Sequence, residues 1–233
     1  MSRAGPTDGW NPLADRIAVQ ARDFLDGVAA LARGEGGEET VPLLLLEVSQ
    51  ILLAGEHKMY PITGFDIGNS PQAFTPSVVE GKTIIITTTN GTRTLLGVQN
   101  ARDIVIASYV NFSAALVMMK VAASSNTDIA IICAGEEGSF TLEDAACAGR
   151  YVRAIPKKAD SVVVNDAAAA SVLIEKRYGD NIAKVFKESS HGQALASAGF
   201  GDDLAAAAEV DSYPVVPIYQ DRQITKLGPE RAR

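Results

Sequence analysis

From Gly81 onward the chain alternates short β-branched runs with longer stretches of helical periodicity, and this alternation constrains the fold more than any other feature. Ile84-Ile85-Ile86 reads as a strand and Thr92–Val98 as the helix after it. Ile104-Val105-Ile106 is a second strand, followed by a helical stretch from Ser113 to Ala123. Ile129–Ile132 is a third, followed by Glu143–Ala154, which Pro156 ends. Asp166–Tyr178 and Asn181–Glu188 continue the helical content, and Val215–Ile218 reads as a last or edge strand, because Pro217 cannot donate to a ladder. Short, fully apolar strands that alternate with helices specify an α/β fold with a mostly parallel or mixed sheet and helices on both faces.

The first fifty residues follow a different pattern. Ile17–Leu31 is compatible with an amphipathic helix, Gly34-Glu35-Gly36-Gly37 breaks it, and Val41–Val48 has the length and apolarity of a buried strand. The expected organisation is an atypical segment, 1–50, followed by an α/β region, 51–233, the two packed as one unit. With 47% hydrophobic and 21% charged residues, the 233-residue chain can bury a sizeable core without metal or disulfide staples. Its net charge of −7 argues against a broad nucleic-acid surface but not against a local pocket for a small anion. Cys133 and Cys147 stand outside any CxxC or Cys/His cluster, so both are expected to be small buried hydrophobes in a reducing compartment. No apolar run approaches the roughly 18 residues of a membrane span, and the opening residues hold no secretion-type core, so a cytoplasmic protein without membrane contact is expected.

The densest polar constellation is Thr87-Thr88-Thr89-Asn90-Gly91-Thr92-Arg93, directly after the Ile84–Ile86 strand. Ligands of α/β sheets bind beyond the carboxyl ends of strands. Thr88, Asn90, Gly91, Thr92 and Arg93 offer a hydroxyl, an amide, an open backbone, a helix N-terminus and a guanidinium fork, which together suit a phosphate or carboxylate. The bland alternative is a Thr-rich strand end with an Asn-Gly turn. Neither a P-loop nor a dinucleotide glycine fingerprint is present, which disfavours a nucleotide.

Three further clusters carry reactive side chains. Gly64–Pro71 is a loop in which Asp66 could serve a metal or an active site and Asn69 and Ser70 could touch a ligand; an Asx-turn before Pro71 is the simpler reading. Ala54–Lys58 brings Glu56, His57 and Lys58 together after an apolar run, or is an exposed loop. Glu143 and Asp144 open a helix shortly after Cys133-Ala134-Gly135, where carboxylates complement the helix dipole or, alternatively, supply hard oxygens for Mg²⁺. His191, in Ser189-Ser190-His191-Gly192, could protonate a leaving group, and Asp203, behind it, could act as a base, although a solvated loop histidine is the commoner case.

Together, LLAGEHK (Leu52–Lys58), GFDIGNSP (Gly64–Pro71), GKTIIITTTNGTRTL (Gly81–Leu95), CAGEEGSFTLEDAACAG (Cys133–Gly149), SSHGQAL (Ser189–Leu195) and GFGDDL (Gly199–Leu204) resemble the 2-phosphosulfolactate phosphatases, in order and spacing, over residues 51–218. The resemblance implies an Mg²⁺-dependent hydrolase that releases phosphate from 2-phospho-3-sulfolactate, a step toward coenzyme M and other sulfolactate-derived compounds. For such a hydrolysis Arg93, Asp66 and His191 are the expected catalytic groups. Thr88, Asn90, Gly91, Thr92, Asn69 and Ser70 would line the substrate, with Lys58 as a further cation, and Glu143, Asp144, Glu56 and Asp66 would be the metal carboxylates. Family members open with a strand ending in Asp and then an Arg-Ala-Thr/Ser run; here Arg22 matches the Arg, but Val19 stands in place of the Asp. That departure motivates a second reading, a catalytically impaired protein that binds a phosphorylated or sulfonated acid. A small anionic substrate is the expected partner, and both a monomer and a homo-oligomer are open.

Overall fold

The computed structural model describes residues 50–155 and 163–228. The Ile17–Leu31 helix, the Val41–Val48 strand, Val19, Arg22 and Pro156 lie outside the described residues. Contacts divide the chain into two compact units, Met1–Thr89 and Asn90–Arg233.

In the first unit, β1 (Ile51–His57) is the centre of a three-stranded sheet of order β2-β1-β3. Its middle residues, Leu52, Leu53 and Ala54, are buried, as a strand paired on both sides requires. β2 (Tyr60–Pro61) runs antiparallel to it, with His57 opposite Tyr60. The two-residue connection, Lys58-Met59, has φ of 50° and 74°, the paired positive values of the hairpin turn whose twist matches the strands. A 3₁₀ turn (Pro71–Ala73) and a one-turn helix, α1 (Pro76–Val79), lead to β3 (Thr83–Thr87), which lies parallel to β1 with Ile51 opposite Thr83 and Gly55 opposite Thr87. The sheet is therefore mixed. The expected strand at Ile84–Ile86 is present. The loop reading of Ala54–Lys58 is corrected, since 54–57 are strand and Glu56 is buried.

The second unit holds seven helices among the described residues: α2 (Gly91–Val98), α3 (Phe112–Ser124), α4 (Leu142–Ala154), α5 (Asp166–Tyr178), α6 (Ile182–Glu188), α7 (Ser190–Ser197) and α8 (Gly201–Ala207). The cause of α5 is local. Asn165 Oδ1 accepts the Ala168 N–H at 2.9 Å, Asp166 opens the first turn, Lys176 and Arg177 close the last, and Gly179 leaves the helix at φ 57°. An antiparallel hairpin, β4 (Pro217–Gln220) with β5 (Gln223–Lys226), follows the helices.

Two strand expectations are changed. Ile104–Ile106 makes only a short antiparallel strip against β4: Val105 bridges Ile218, the Ile106 N–H donates to the Pro217 carbonyl, and the Tyr219 N–H donates to the Ile104 carbonyl. Pro217 accepts here and has nothing to donate, which fits its place at a strand start. Val215 and Val216 precede β4 rather than belonging to it. Ile129–Ile132 forms no ladder among the described residues. Its residues still alternate: Ile129 and Ile131 pack on the cluster of Ala115, Leu116, Tyr151 and Ile155, while Ile132 is 56% exposed. The fold is α/β; among the described residues the parallel pairing is the β1–β3 ladder and an isolated bridge between Ala54 and Ile67.

Candidate active site

In the first unit the polar groups gather at the carboxyl end of β1. Glu56 is only 8% exposed and has three donors on its carboxylate. The Thr89 N–H donates to Oε1 at 2.6 Å, while the Thr89 hydroxyl and the Met59 N–H donate to Oε2, each at 2.9 Å. The Thr89 Oγ1 in turn accepts the Lys58 N–H at 2.9 Å. One carboxylate thus fastens the left-handed Lys58-Met59 turn to the segment that follows β3, and among the described residues backbone and hydroxyl donors satisfy it. Lys58 is exposed, so its ammonium faces solvent. Asp66 is likewise engaged, its Oδ2 accepting the Leu53 N–H at 2.7 Å. The Asp66 and Ile67 N–H groups donate back to the Leu53 carbonyl, so the Gly64–Pro71 loop is stitched to the edge of β1 opposite β3. Asn69 is exposed, and Ser70 precedes the Pro71–Ala73 turn. Thr87 is buried and Thr88 half-buried.

The Glu56 arrangement has a testable consequence. Glu56→Gln places an NH₂ group against at least one of three donors, so Thr89 and the turn lose their common anchor. The expected cost is about 2 kcal/mol, measured as the shift in urea-unfolding free energy. A change within about 0.5 kcal/mol would show that the carboxylate is not the clamp.

In the second unit, Asn90, Gly91, Thr92 and Arg93 form the start of α2. The Asn90 side chain does not cap that helix; its Oδ1 accepts the Glu137 N–H at 2.9 Å instead. Arg93 is exposed in the first helical turn, which contains no acid. That is the reverse of the arrangement a helix dipole favours, and an anion beside Arg93 would correct it.

Residues 135–139 make a small hairpin that faces α4. Glu136 and Ser139 exchange two backbone hydrogen bonds around Glu137-Gly138, both with positive φ. The Gly135 N–H donates to Asp144 Oδ2 at 2.7 Å, and Gly135 has φ 67° with the Ser139 carbonyl where a Cβ would stand, so glycine is required. Glu143 is beside Asp144 in the first turn of α4, and its Oε2 is buried with no hydrogen-bond partner. The hydroxyl of the preceding Thr141 is in the same condition. Among the described residues no three His, Cys, Asp or Glu converge on one point, so a cation here would rest on Glu143 and Asp144 with water or substrate oxygens.

His191 is the second residue of α7, whose start is set by Ser189: the Gly192 N–H donates to its Oγ, which donates to the Phe186 carbonyl. His191 Nδ1 is shielded from solvent and lies 3.0 Å from Glu136 Oε1, a hydrogen-bonding distance without the angle of an aligned bond. Asp203 is in the first turn of α8. Cys147 packs in the core with its thiol pushed up to about 12, by burial first and Asp144 next, so it is inert. Cys133, expected to be buried, is exposed; partial burial of its thiol and then Asp144 still raise it above its ordinary value. Thr89, Glu136 and Glu137 fall within the segments quoted above, but sequence alone assigned none of them a role of its own. The available signal was two acids before Gly138, in a turn between a strand-like run and a helix.

Comparison with known proteins bears on the same segments. A family model described as 2-phosphosulpholactate phosphatase matches residues 42–222, which include every candidate residue of both units. A probable 2-phosphosulfolactate phosphatase of Symbiobacterium thermophilum is 34% identical over 92% of this chain and 96% of its own length. One of Caldanaerobacter subterraneus subsp. tengcongensis is 34% identical over 82% and 81%, and one of a Synechococcus species 37% identical over 72% and 69%. A match of this extent is decisive, and the chain belongs to the 2-phosphosulpholactate phosphatase family.

Proposed function

We propose that this protein hydrolyses a small phosphorylated acid, 2-phospho-3-sulfolactate, to 3-sulfolactate and inorganic phosphate. Family membership supports phosphoric monoester hydrolysis, and one observation of this structure carries the reading further: Arg93 is exposed in the first turn of α2, a turn that contains no acidic residue of its own. Phosphoryl transfer asks a protein for charge neutralisation and alignment rather than covalent chemistry. The Arg93 guanidinium supplies a two-pronged grip on an oxyanion. Asn90, whose oxygen accepts the Glu137 N–H, would turn its NH₂ donors to the same anion. In the reaction the ester P–O bond breaks as a water oxygen bonds to phosphorus, and the departing alkoxide takes a proton, for which His191 is the donor in reach of a carboxylate.

Mg²⁺ is the cofactor in this reading, and the unpartnered Glu143 oxygen beside Asp144 fits it. When bound, the ion would shield phosphate charge and acidify water. Glu56 and Asp66, already engaged by backbone donors, fit the role of frame better than that of ligand. Among the described residues no helix is long and apolar enough to cross a membrane, and with a charge of −7 and two cysteines a cytoplasmic setting is the reading adopted.

The purified protein, given 2-phospho-3-sulfolactate with and without Mg²⁺, should release phosphate in the first case. Binding of the ester without release would favour the catalytically impaired alternative. Arg93→Lys should lower kcat/KM at least about tenfold, or ~1.4 kcal/mol, because the charge stays while the bidentate geometry goes. A loss of about twofold or less would remove Arg93 from the site.

A further inference from the structure

The sequence singles out His191 and assigns nothing to Glu136. We propose that Glu136 is the positioning residue for His191, holding its imidazole with the proton on Nδ1 so that Nε2 is the atom that exchanges a proton with substrate. Its catalytic part rests on the hydrolysis reading above.

The argument begins with the shielded Nδ1, which has a carboxylate oxygen 3.0 Å away. At 3.0 Å a bare Nδ1 would hold its lone pair close to a carboxylate oxygen, and a hydrogen on Nδ1 replaces that repulsion with attraction once a small turn of either side chain aligns the bond. Both partners stand on fixed supports. The Glu136 backbone is closed into its hairpin by bonds of 3.1 and 2.8 Å to Ser139. The hairpin is pinned on either side, by the Gly135 N–H to Asp144 and the Glu137 N–H to Asn90. Opposite it, the start of α7 is set by Ser189, which is 1% exposed. Two groups held by separate rigid elements keep their approach without help from either side chain's own rotamer preference. Glu136 is 40% exposed, so it is no core residue whose loss would empty a cavity.

Chemically, the doubly protonated imidazole gives up the Nε2 hydrogen: that N–H bond breaks, and an O–H bond forms on the leaving oxygen. The imidazole is left neutral with its hydrogen on Nδ1, the form that Glu136 favours. The carboxylate takes no proton and only chooses which nitrogen acts, the division of labour seen wherever a carboxylate orients a catalytic histidine.

The test has two independent arms. The chain has two histidines, so ¹⁵N-labelled protein at alkaline pH gives two imidazole patterns, with His57 identified by a His57→Gln variant. His191 should show the Nδ1–H form, which free imidazole disfavours, and should revert toward Nε2–H in Glu136→Ala. Glu136→Gln keeps an acceptor and should retain part of the Nδ1–H population. An Nε2–H pattern in the wild type, or the same pattern in wild type and Glu136→Ala, overturns the proposal whether or not the protein is a phosphatase. In the second arm, Glu136→Ala should lower kcat on the hydroxy-acid phosphate about 10²-fold with little change in KM. On p-nitrophenyl phosphate, whose leaving group needs no proton, the loss should be at least about tenfold smaller. His191→Gln should act alike, and the double variant should be no worse than either single one. Equal losses on both esters, or additive losses, would assign Glu136 a merely structural part. A wild type that hydrolyses neither ester sinks the hydrolysis reading alone, and the nuclear resonance arm still decides what Glu136 does.

Discussion

Replacing Glu143 and Asp144 together with their amides should reduce Mg²⁺-dependent phosphate release to about a thousandth of wild type or less. The two changes keep shape and remove two negative charges. Glu143 Oε2 is buried without a hydrogen-bond partner, an arrangement that costs free energy unless something positive meets it. A cation that neutralises developing phosphate charge contributes several kcal/mol to the barrier, so its loss is expected at the thousandfold level. The fold should survive, since the side-chain oxygen that Asp144→Asn retains can still accept the Gly135 N–H. The melting temperature without metal should therefore stay within a few degrees, and a Mg²⁺ titration should show weakened binding. Unchanged Mg²⁺ affinity in the double variant would reduce both carboxylates to complements of the α4 dipole.

A large loss of stability is expected from a side chain at Gly149. This glycine is buried in α4 where that helix crosses α5. A Cβ there would overlap the Ser171 carbonyl oxygen and stand 2.9 Å from Glu175 Cβ. Because the obstructing atom is backbone, no side-chain rotation relieves the clash, and the helices must separate. Separation also pulls Glu175, 3% exposed, from Arg153, which holds it with two 2.7 Å bonds. Gly149→Ala should cost about 3 kcal/mol or more, read from the urea midpoint. Truncating the neighbouring side chain in Ser171→Gly should not rescue it. Wild-type stability in Gly149→Ala would mean that the two helices are packed less tightly than described.

Local chemistry explains which parts of this fold the sequence discloses. Asp166–Tyr178 has its start and stop written into it as Asn165 and Gly179, and the helix has those bounds. Ile129–Ile132 shows the limit of periodicity. Alternating burial is real there, but alternation specifies an extended chain and says nothing about a ladder partner. Ala54–Lys58 misled for the opposite reason. Glu, His and Lys in succession look like a solvated loop, yet Glu56 is buried because donors from Thr89, far along the chain, reach it. The same division governs the site. Thr87–Arg93 was legible because it follows a strand and opens a helix. The approach of Glu136 to His191 was not, because it joins a hairpin to a helix that only tertiary structure brings together.

The Asn90 contact also bears on how the protein ages. Asn-Gly is the dipeptide most prone to lose its side-chain amide, because a following residue without a Cβ lets the next backbone nitrogen attack the side-chain carbon. At Asn90 the backbone is helical, with φ −108° and ψ −48°, and the amide oxygen is tethered to the Glu137 N–H. That conformation withholds the ring-closing geometry while the first turn of α2 persists. Storage conditions that fray this turn should start a slow one-dalton mass gain at the Asn90-Gly91 peptide. The products would be an aspartate or an inserted backbone methylene beside Arg93, and activity should fade in step with the mass gain, well before any loss of overall structure.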